Sequence, residues 1–211
     1  MTRTSYLTLA CAVEAEIEVK RSRFLAHLEP VPDEASARAV VDGARRRHHD
    51  ARHHCSAFVL GVDGSTERSS DDGEPAGTAG APMLEVLRGA ELRDLVAVVT
   101  RWFGGTLLGA GGLVRAYSEA VQAGIDRARI VRRELVEEVE LVLGHADSGR
   151  IESALRARGV VVLEVSHAAE VTLLLGVAPA ELPRLDALIA ELTGGTAAAR
   201  RRGHRWADAT G

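Results

Sequence analysis

The segment LVAVVTRWFGGTLLGAGGLVRAYSEAV, residues 95–121, changes character twice along its length. Residues 95–103 are a run of β-forming side chains, glycines follow, and a segment with helical periodicity begins after them. Leu113, Tyr117 and Val121 fall on one side of that helix, away from its polar side chains. The segment therefore predicts a strand, a glycine-rich loop and a helix with one buried face.

The loop holds five glycines within residues 104–112, and each costs backbone entropy on folding. Positive φ angles and close packing of a helix on a strand are the commoner reasons for such a cluster. The alternative is a set of exposed N–H groups at the helix start, which would bind an anion together with Arg101 and Arg115. Neither a P-loop nor a dinucleotide motif is present. The glycines of this anion-binding alternative are Gly104, Gly105, Gly109, Gly111 and Gly112.

Length and charge limit the possible functions. A chain of 211 residues can form one large or two small domains. Its net charge of −4 argues against binding of nucleic acid by overall electrostatics, although a local basic patch is compatible with it. Residues 101–133 carry six arginines and two acids, whereas residues 134–193 carry eleven acids and four arginines. This segregation can orient a partner, or it can reflect solvated surfaces.

The cysteine count and hydropathy predict a cytoplasmic protein. Cys11 and Cys55 are too few for a disulfide framework, and there is no CxxC motif. No apolar run has the length of a membrane span. We therefore expect neither a membrane partner nor a cofactor.

The segment HHDARHH, residues 48–54, contains two histidines at the spacing of a helical zinc motif, with Asp50 in place of the usual glutamate. A zinc site would need a helix through His49 and His53, yet a strand has to begin by Cys55. We therefore expect a polar helix exit and no metal. The basic segment KRSRF, residues 20–24, is either a solvated turn or part of a binding surface.

The segment SSDDGEPAGTAGAPML, residues 69–84, is rich in turn-forming residues. Its acidic side chains Asp71, Asp72 and Glu74 are either turn elements or a carboxylate cluster for Mg²⁺ or acid–base chemistry. Thr78 is placed to supply a capping hydroxyl. If the segment binds a ligand, Asp72, Glu74 and Thr78 are the candidate residues.

The remaining pattern predicts two α+β domains. Residues 1–133 contain strands, a helix from about residue 33 to 48, and the strand–loop–helix segment. Residues 134–203 follow the order β-α-β-β-α-β, with a first strand at 136–143 and a last strand at 196–200, which is the ferredoxin-like arrangement. Residues 204–211 are expected to form a flexible tail.

Four segments together resemble the IMPACT family: TRWFGGTLLGAGGLVRAYSEAV, SDDGEPAGTAGAPML, RHHCSAFVLG and KRSRF. Trp102 departs mildly, because the family usually has Tyr at this position. The resemblance implies a ribosomal protein S5 domain 2-like N-terminal domain followed by a ferredoxin-like domain. It also implies a link to translation, since eukaryotic members regulate translation under amino-acid stress.

The resulting hypothesis is a non-enzymatic, translation-linked regulatory protein that binds RNA, the ribosome or a ribosome-associated regulatory protein. Arg101, Arg115 and the loop glycines would contact phosphates. The alternative is an enzyme or small-ligand module for a phosphorylated compound, with Asp72 and Glu74 holding a metal close to the glycine-rich loop. No catalytic residue is assigned in either case.

Overall fold

A computed structural model describes residues 4–209, which form two compact units that divide between Arg132 and Arg133. The first unit contains six strands and three helices within its described part. In chain order these are β1 (Ser5–Leu9), β2 (Val13–Val19), β3 (Ser22–Pro30), α1 (Glu34–Arg47), β4 (His53–Leu60), β5 (Thr66–Ser70), α2 (Gly80–Gly89), β6 (Leu95–Trp102) and α3 (Ala110–Arg127).

The main sheet of the first unit has the strand order β2-β3-β6-β4-β5, and all neighbours are antiparallel. Side chains of α2 and α3 pack on one face of this sheet in the largest apolar core of the unit. Side chains of α1 pack on the other face in a smaller core. Because helices cover both faces, seven of the eight residues of β6 are buried.

The strand–loop–helix prediction for residues 95–121 agrees with β6 and α3. Tyr117, Ala120 and Val121 of α3 are fully buried. Gly124 on the same helix faces Leu28 of β3, and a Cβ at position 124 would lie 2.6 Å from a Leu28 methyl carbon. A glycine is therefore needed there for helix and strand to approach this closely.

The second unit follows the order β-α-β-β-α-β, which confirms the α+β, ferredoxin-like prediction. Its sheet has the order β10-β7-β9-β8 with antiparallel neighbours, and side chains of the two helices share one apolar core with it. Its elements are β7 (Ile130–Leu143), α4 (His145–Ala157), β8 (Val161–His167), β9 (Val171–Val177), a 3-10 turn (Pro179–Glu181), α5 (Leu182–Thr193) and β10 (Arg200–Asp208).

The end of the chain differs from the prediction. The last strand was expected at residues 196–200 with a flexible tail from 204, but β10 covers Arg200–Asp208. Apolar and polar residues do not alternate clearly in the sequence of β10, so the hydrophobic pattern does not predict a strand there. Ion pairs to β7 accompany the pairing instead, Arg202 to Glu140 at 3.1 Å and Arg205 to Glu138 at 3.3 Å. Residues 210 and 211 of the expected tail lie outside the described part.

The helices between residues 4 and 209 include none that is long and apolar enough to cross a lipid bilayer.

Candidate functional site at the glycine-rich loop

The glycine-rich loop packs directly on the turn between β2 and β3. A Cβ at Gly104 would lie 2.0 Å from the carbonyl carbon of Arg21, so no other residue fits this position. The Gly104 N–H donates to Ser22 Oγ at 3.1 Å, and the Arg21 guanidinium donates to Thr106 Oγ1 at 3.0 Å. The basic turn and the loop thus form one surface. We name it the turn–loop surface and define it as Lys20, Arg21, Arg23, Trp102, Phe103, Thr106 and Leu107.

The turn has an unusual backbone for its sequence. Lys20 and Arg21 have φ angles of 47° and 67°, both in the left-handed region. A two-residue hairpin turn of this kind normally carries Asn or Gly, because other side chains are strained there. Two long cationic side chains are therefore held at a tight turn against local preference.

Aromatic and apolar side chains are exposed beside these cations. The Arg23 guanidinium lies 4.2 Å from the Trp102 ring centroid, a cation–π distance. The Trp102 indole N–H donates to Asp50 at 2.8 Å, and this hydrogen bond lowers the pKa of Asp50. Phe103 is 47% exposed and Leu107 is 84% exposed, so the surface offers apolar contact area next to positive charge.

The glycines at the start of α3 have different roles. Gly109 has φ 71° at the N-cap position, and Gly105 has φ 84° within the loop. A Cβ at Gly112 would lie 3.1 Å from Leu108 Cβ. A Cβ at Gly111 would meet nothing within 4 Å, and φ of Gly111 is not positive. Neither packing nor backbone conformation thus explains a glycine at position 111.

The N-terminus of α3 also lacks the usual acidic residues in its first turn. The first helical hydrogen bond runs from Leu113 N–H to Gly109 O, so the amides before Leu113 have no partner in the helix. Arg115 lies on the same face as Gly111, four residues later. Its side chain is exposed and forms no hydrogen bond or ion pair within residues 4–209. Open amides and an unpaired cation are the elements of an anion site.

Arg101 does not belong to this exposed group, because its side chain is buried. It is 6% exposed, and its Nη1 lies 2.6 Å from Glu74 Oε1. Its guanidinium carbon lies 5.4 Å from the Phe24 ring centroid and 5.7 Å from that of Phe103. Arg101 therefore contacts the exposed Phe103 ring from the buried side and acts as a support.

Glu74 lies at the centre of a buried polar cluster. Its Oε1 accepts a second hydrogen bond from Tyr117 Oη at 2.8 Å, and His53 Nε2 lies 4.0 Å away. Burial raises the pKa of the Tyr117 hydroxyl. Burial also raises the pKa of the Cys55 thiol, to about 12. Cys55 is therefore a neutral thiol at pH 7 and a poor nucleophile. The cluster links strands β4 and β6 to helix α3.

Asp71, the third member of the candidate carboxylate cluster, supports the start of α2. Its carboxylate accepts hydrogen bonds from the backbone N–H groups of Gly77, Ala79 and Gly80 at 2.8 to 3.0 Å. Partial burial alone would raise its pKa, but these donors outweigh burial and lower the pKa. A side-chain oxygen near a glycine-rich helix start is the sequence signal for this role.

Asp72 and Thr78 are also engaged within the fold. Asp72 accepts hydrogen bonds from the Arg45 guanidinium and from the His54 backbone N–H, each at 2.7 Å. Thr78 is buried and donates to Pro75 O at 2.6 Å. The structure therefore engages Asp72, Glu74 and Thr78 in hydrogen bonds within the fold.

The histidine segment has no helical metal geometry. Helix α1 ends at Arg47 and β4 begins at His53, so His49 and His53 do not share a helix. Burial lowers the pKa of His54, whose Nε2 lies 3.1 Å from His48 O. Within residues 4–209, no group of three or more His, Cys, Asp or Glu side chains is arranged to hold a metal ion.

Comparisons with known proteins match both units. The model of the Impact N-terminal domain matches residues 20–125, which include the turn, the acidic loop and the glycine-rich loop. The chain belongs to the IMPACT family. A second model, the domain of unknown function DUF1949, matches residues 141–196 of this IMPACT family protein.

Relatives of this IMPACT family protein align along most of the chain. It is 39% identical to the Bacillus subtilis IMPACT family member YvyE, over 90% of this chain and 88% of the relative. It is 36% identical to Escherichia coli YigZ, over 91% and 95% of the two chains. A crystal structure titled as that of a hypothetical protein is 35% identical, with a TM-score of 0.65 and coverage of 94% and 97%.

Proposed function

We propose that this protein is a cytoplasmic regulator linked to translation, and that it binds RNA of the ribosome through the turn–loop surface. Its membership of the IMPACT family supports a translation-related regulatory role. The RNA-binding part of the proposal rests on one observation. The basic β2–β3 turn and the glycine-rich loop are in contact and expose cations beside aromatic rings.

The chemistry of this surface suits unpaired RNA. Arginine side chains contact phosphates, and exposed aromatic rings stack on bases that are not paired. Arg21 and Arg23 supply the first function, and the exposed Phe103 ring supplies the second. The acidic second unit would repel the phosphate backbone and so orient the partner.

The start of α3 adds a candidate phosphate contact. A phosphate at the amides before Leu113 would be stabilised by the helix dipole and by Arg115. An arginine without a partner near a positive helix end is unfavourable in the absence of an anion. Such an anion contact would also account for Gly111, a glycine without a packing role one helical turn before Arg115.

The contacts of Asp72 and Glu74 do not favour the enzyme alternative. Asp72 and Glu74 would have to release Arg45 and Arg101 before either could bind a metal. Removing one partner of a buried pair such as Glu74–Arg101 is costly. The exposed Leu107 and Phe103 side chains could also contact a ribosome-associated regulatory protein. The salt dependence of binding distinguishes such a protein partner from RNA.

The test is cosedimentation with purified bacterial ribosomes at 50 and 200 mM salt. We expect the wild-type protein to sediment at low salt and to be released at high salt, because phosphate contacts release counterions. The variant Arg21→Ala/Arg23→Ala should weaken binding and reduce the slope of log K against log salt by about 1.4. The matched control Arg150→Ala/Arg156→Ala removes the same charge from exposed positions of α4.

Three results would contradict the proposal. Wild-type protein that never sediments excludes the ribosome. Equal losses in both double variants exclude the turn–loop surface. Binding that does not change with salt excludes phosphate contacts and points to a protein partner.

A further inference from the structure

The second unit contains a cavity of about 230 Å³ where β9 ends. The pairing of β9 with β7 ends at Val177, opposite Glu137, and its pairing with β8 ends at Gly176, opposite Val161. The chain then leaves the sheet for the 3-10 turn and α5. The gap between β7 and β8 is one strand wide, about 9.5 Å from backbone to backbone.

The cavity is walled mainly by aliphatic side chains. They come from β7, from β8 and the residue before it, from the last residue of β9 and from α5, and they are Val136, Val160, Val161, Val177, Leu185 and Leu188. Val160 and Leu188 pack against the core of the unit but stay only partly buried. A site with such walls favours an aliphatic body and disfavours phosphates and sugars.

The rim of the cavity carries charges of both signs. Glu134 of β7 lines it and has no ion pair within the described part of the chain. Arg184 of α5 donates one hydrogen bond, to Glu181 at 3.2 Å, and so keeps other guanidinium N–H groups available. Arg158 is fixed at the rim by two hydrogen bonds to Glu191, at 3.0 and 3.3 Å.

We propose that this cavity binds a small aliphatic amino acid. The cavity is smaller than the roughly 300 Å³ at which pockets for drug-sized ligands begin, which favours a ligand smaller than a nucleotide. The aliphatic walls hold the side chain of the ligand. Glu134 binds its ammonium group, and Arg184 binds its carboxylate. This site is independent of the turn–loop surface, and its occupancy would be a separate property of the second unit.

The experiment is calorimetric titration of the full chain with four compounds of similar size. Leucine carries both charges on one carbon atom, and 6-aminohexanoate carries them at opposite ends. Isocaproate lacks the ammonium group, and isoamylamine lacks the carboxylate. We expect one of the two zwitterions to bind at least about tenfold more tightly than either singly charged compound, the effect of losing one charged hydrogen-bonding group. The zwitterion that binds more tightly shows whether the two charges of the ligand lie close together, as in leucine, or far apart, as in 6-aminohexanoate.

Variants locate the binding. Leu188→Phe fills the cavity and should abolish binding, whereas Leu192→Phe, one turn later on α5 and outside the cavity lining, should leave it unchanged. If Leu188→Phe does not fold, Arg184→Gln and Glu134→Gln provide the test, because they change only side chains at the rim. Each of these two variants should weaken binding about tenfold. Absence of heat with both zwitterions, equal binding of isocaproate and isoamylamine, or unchanged binding in Arg184→Gln and Glu134→Gln would overturn the proposal.

Discussion

Gly111 is the residue at which stability and the proposed binding make opposite demands. Gly111→Ala should stabilise the protein by up to about 1 kcal/mol, because alanine favours a helix and a Cβ meets no atom there. The same change should weaken ribosome cosedimentation, since the methyl group covers the amides. Chemical denaturation and cosedimentation measure the two effects. A variant that is more stable and binds normally would show that this backbone is not a contact.

Gly109 provides the matched comparison. Its φ of 71° is unfavourable for alanine, so Gly109→Ala should destabilise the protein by about 1–2 kcal/mol. Two glycines two residues apart should therefore respond with opposite signs in the same denaturation experiment. Equal effects at both positions would contradict the distinction between them.

The Glu74–Arg101 pair should show strong coupling. Arg101→Met alone leaves a buried carboxylate without its cation, and a loss of about 3–5 kcal/mol in the free energy of unfolding is expected. Glu74→Gln alone leaves the cation unpaired and should cost a similar amount. The double variant should recover part of the loss, and urea denaturation of all four proteins gives the coupling energy. Additive losses would show that the pair is not a unit.

The burial of Arg101 could not be predicted from its sequence neighbourhood. In a half-exposed strand, alternation shows which side chains face solvent. In β6 helices cover both faces, so the apolar run LVAVV contains no alternation. The helical pattern puts Arg115 on the polar face of α3, where it is exposed, but the partners of Arg101 come from distant segments that only the fold brings together.

At the scale of elements, α2 depends on an acidic residue outside it. Asp71→Asn should destabilise the first unit by about 1–3 kcal/mol, because three backbone donors lose a charged acceptor. Although partial burial opposes it, the backbone N–H donors hold the pKa of Asp71 in the folded state below its ordinary value of 3.8. Its stabilising contribution is therefore complete above pH 3.8 and is lost as the pH falls through the lower folded-state pKa.

Urea denaturation between neutral pH and about pH 3 tests this, since unperturbed Asp titrates near 3.9. Wild-type protein should lose more stability on acidification than Asp71→Asn. Asp42→Asn is the control, because Asp42 forms only a 3.6 Å ion pair on the surface of α1. If Asp71→Asn and Asp42→Asn show the same pH dependence, the capping role of Asp71 is wrong.

Elements with strong apolar periodicity were predicted well, and elements formed by polar pairing were not. Ile151 with Leu155 and Leu185 with Ile189 indicate the buried faces of α4 and α5, and all four are buried. The last strand was misplaced because β10 contains few apolar residues, and two of its arginines, Arg202 and Arg205, pair with glutamates of β7. Charge pairs across strands have no period that one strand alone reveals.

At the scale of the molecule, the two units have separate cores. Leu173→Ala removes a fully buried side chain from the second core and should cost about 2–5 kcal/mol there. Trp206 reports on the second unit and Trp102 on the first, so fluorescence in Trp102→Phe and Trp206→Phe backgrounds separates them. In Leu173→Ala, the unfolding midpoint reported by Trp206 should move to a lower urea concentration, and the midpoint reported by Trp102 should not change. Equal shifts of both would show that the chain unfolds as one body.

The hairpin turn of Lys20 and Arg21 has a consequence for protein engineering. A design aimed only at thermostability would install Asn-Gly there, because that dipeptide adopts the turn without strain. Such a redesign would increase the stability of the protein but would remove two cations from the proposed contact region. Lys20 and Arg21 thus combine a backbone conformation unfavourable for their side chains with positive charge at the proposed contact, a balance in which binding and not stability decides the residue type.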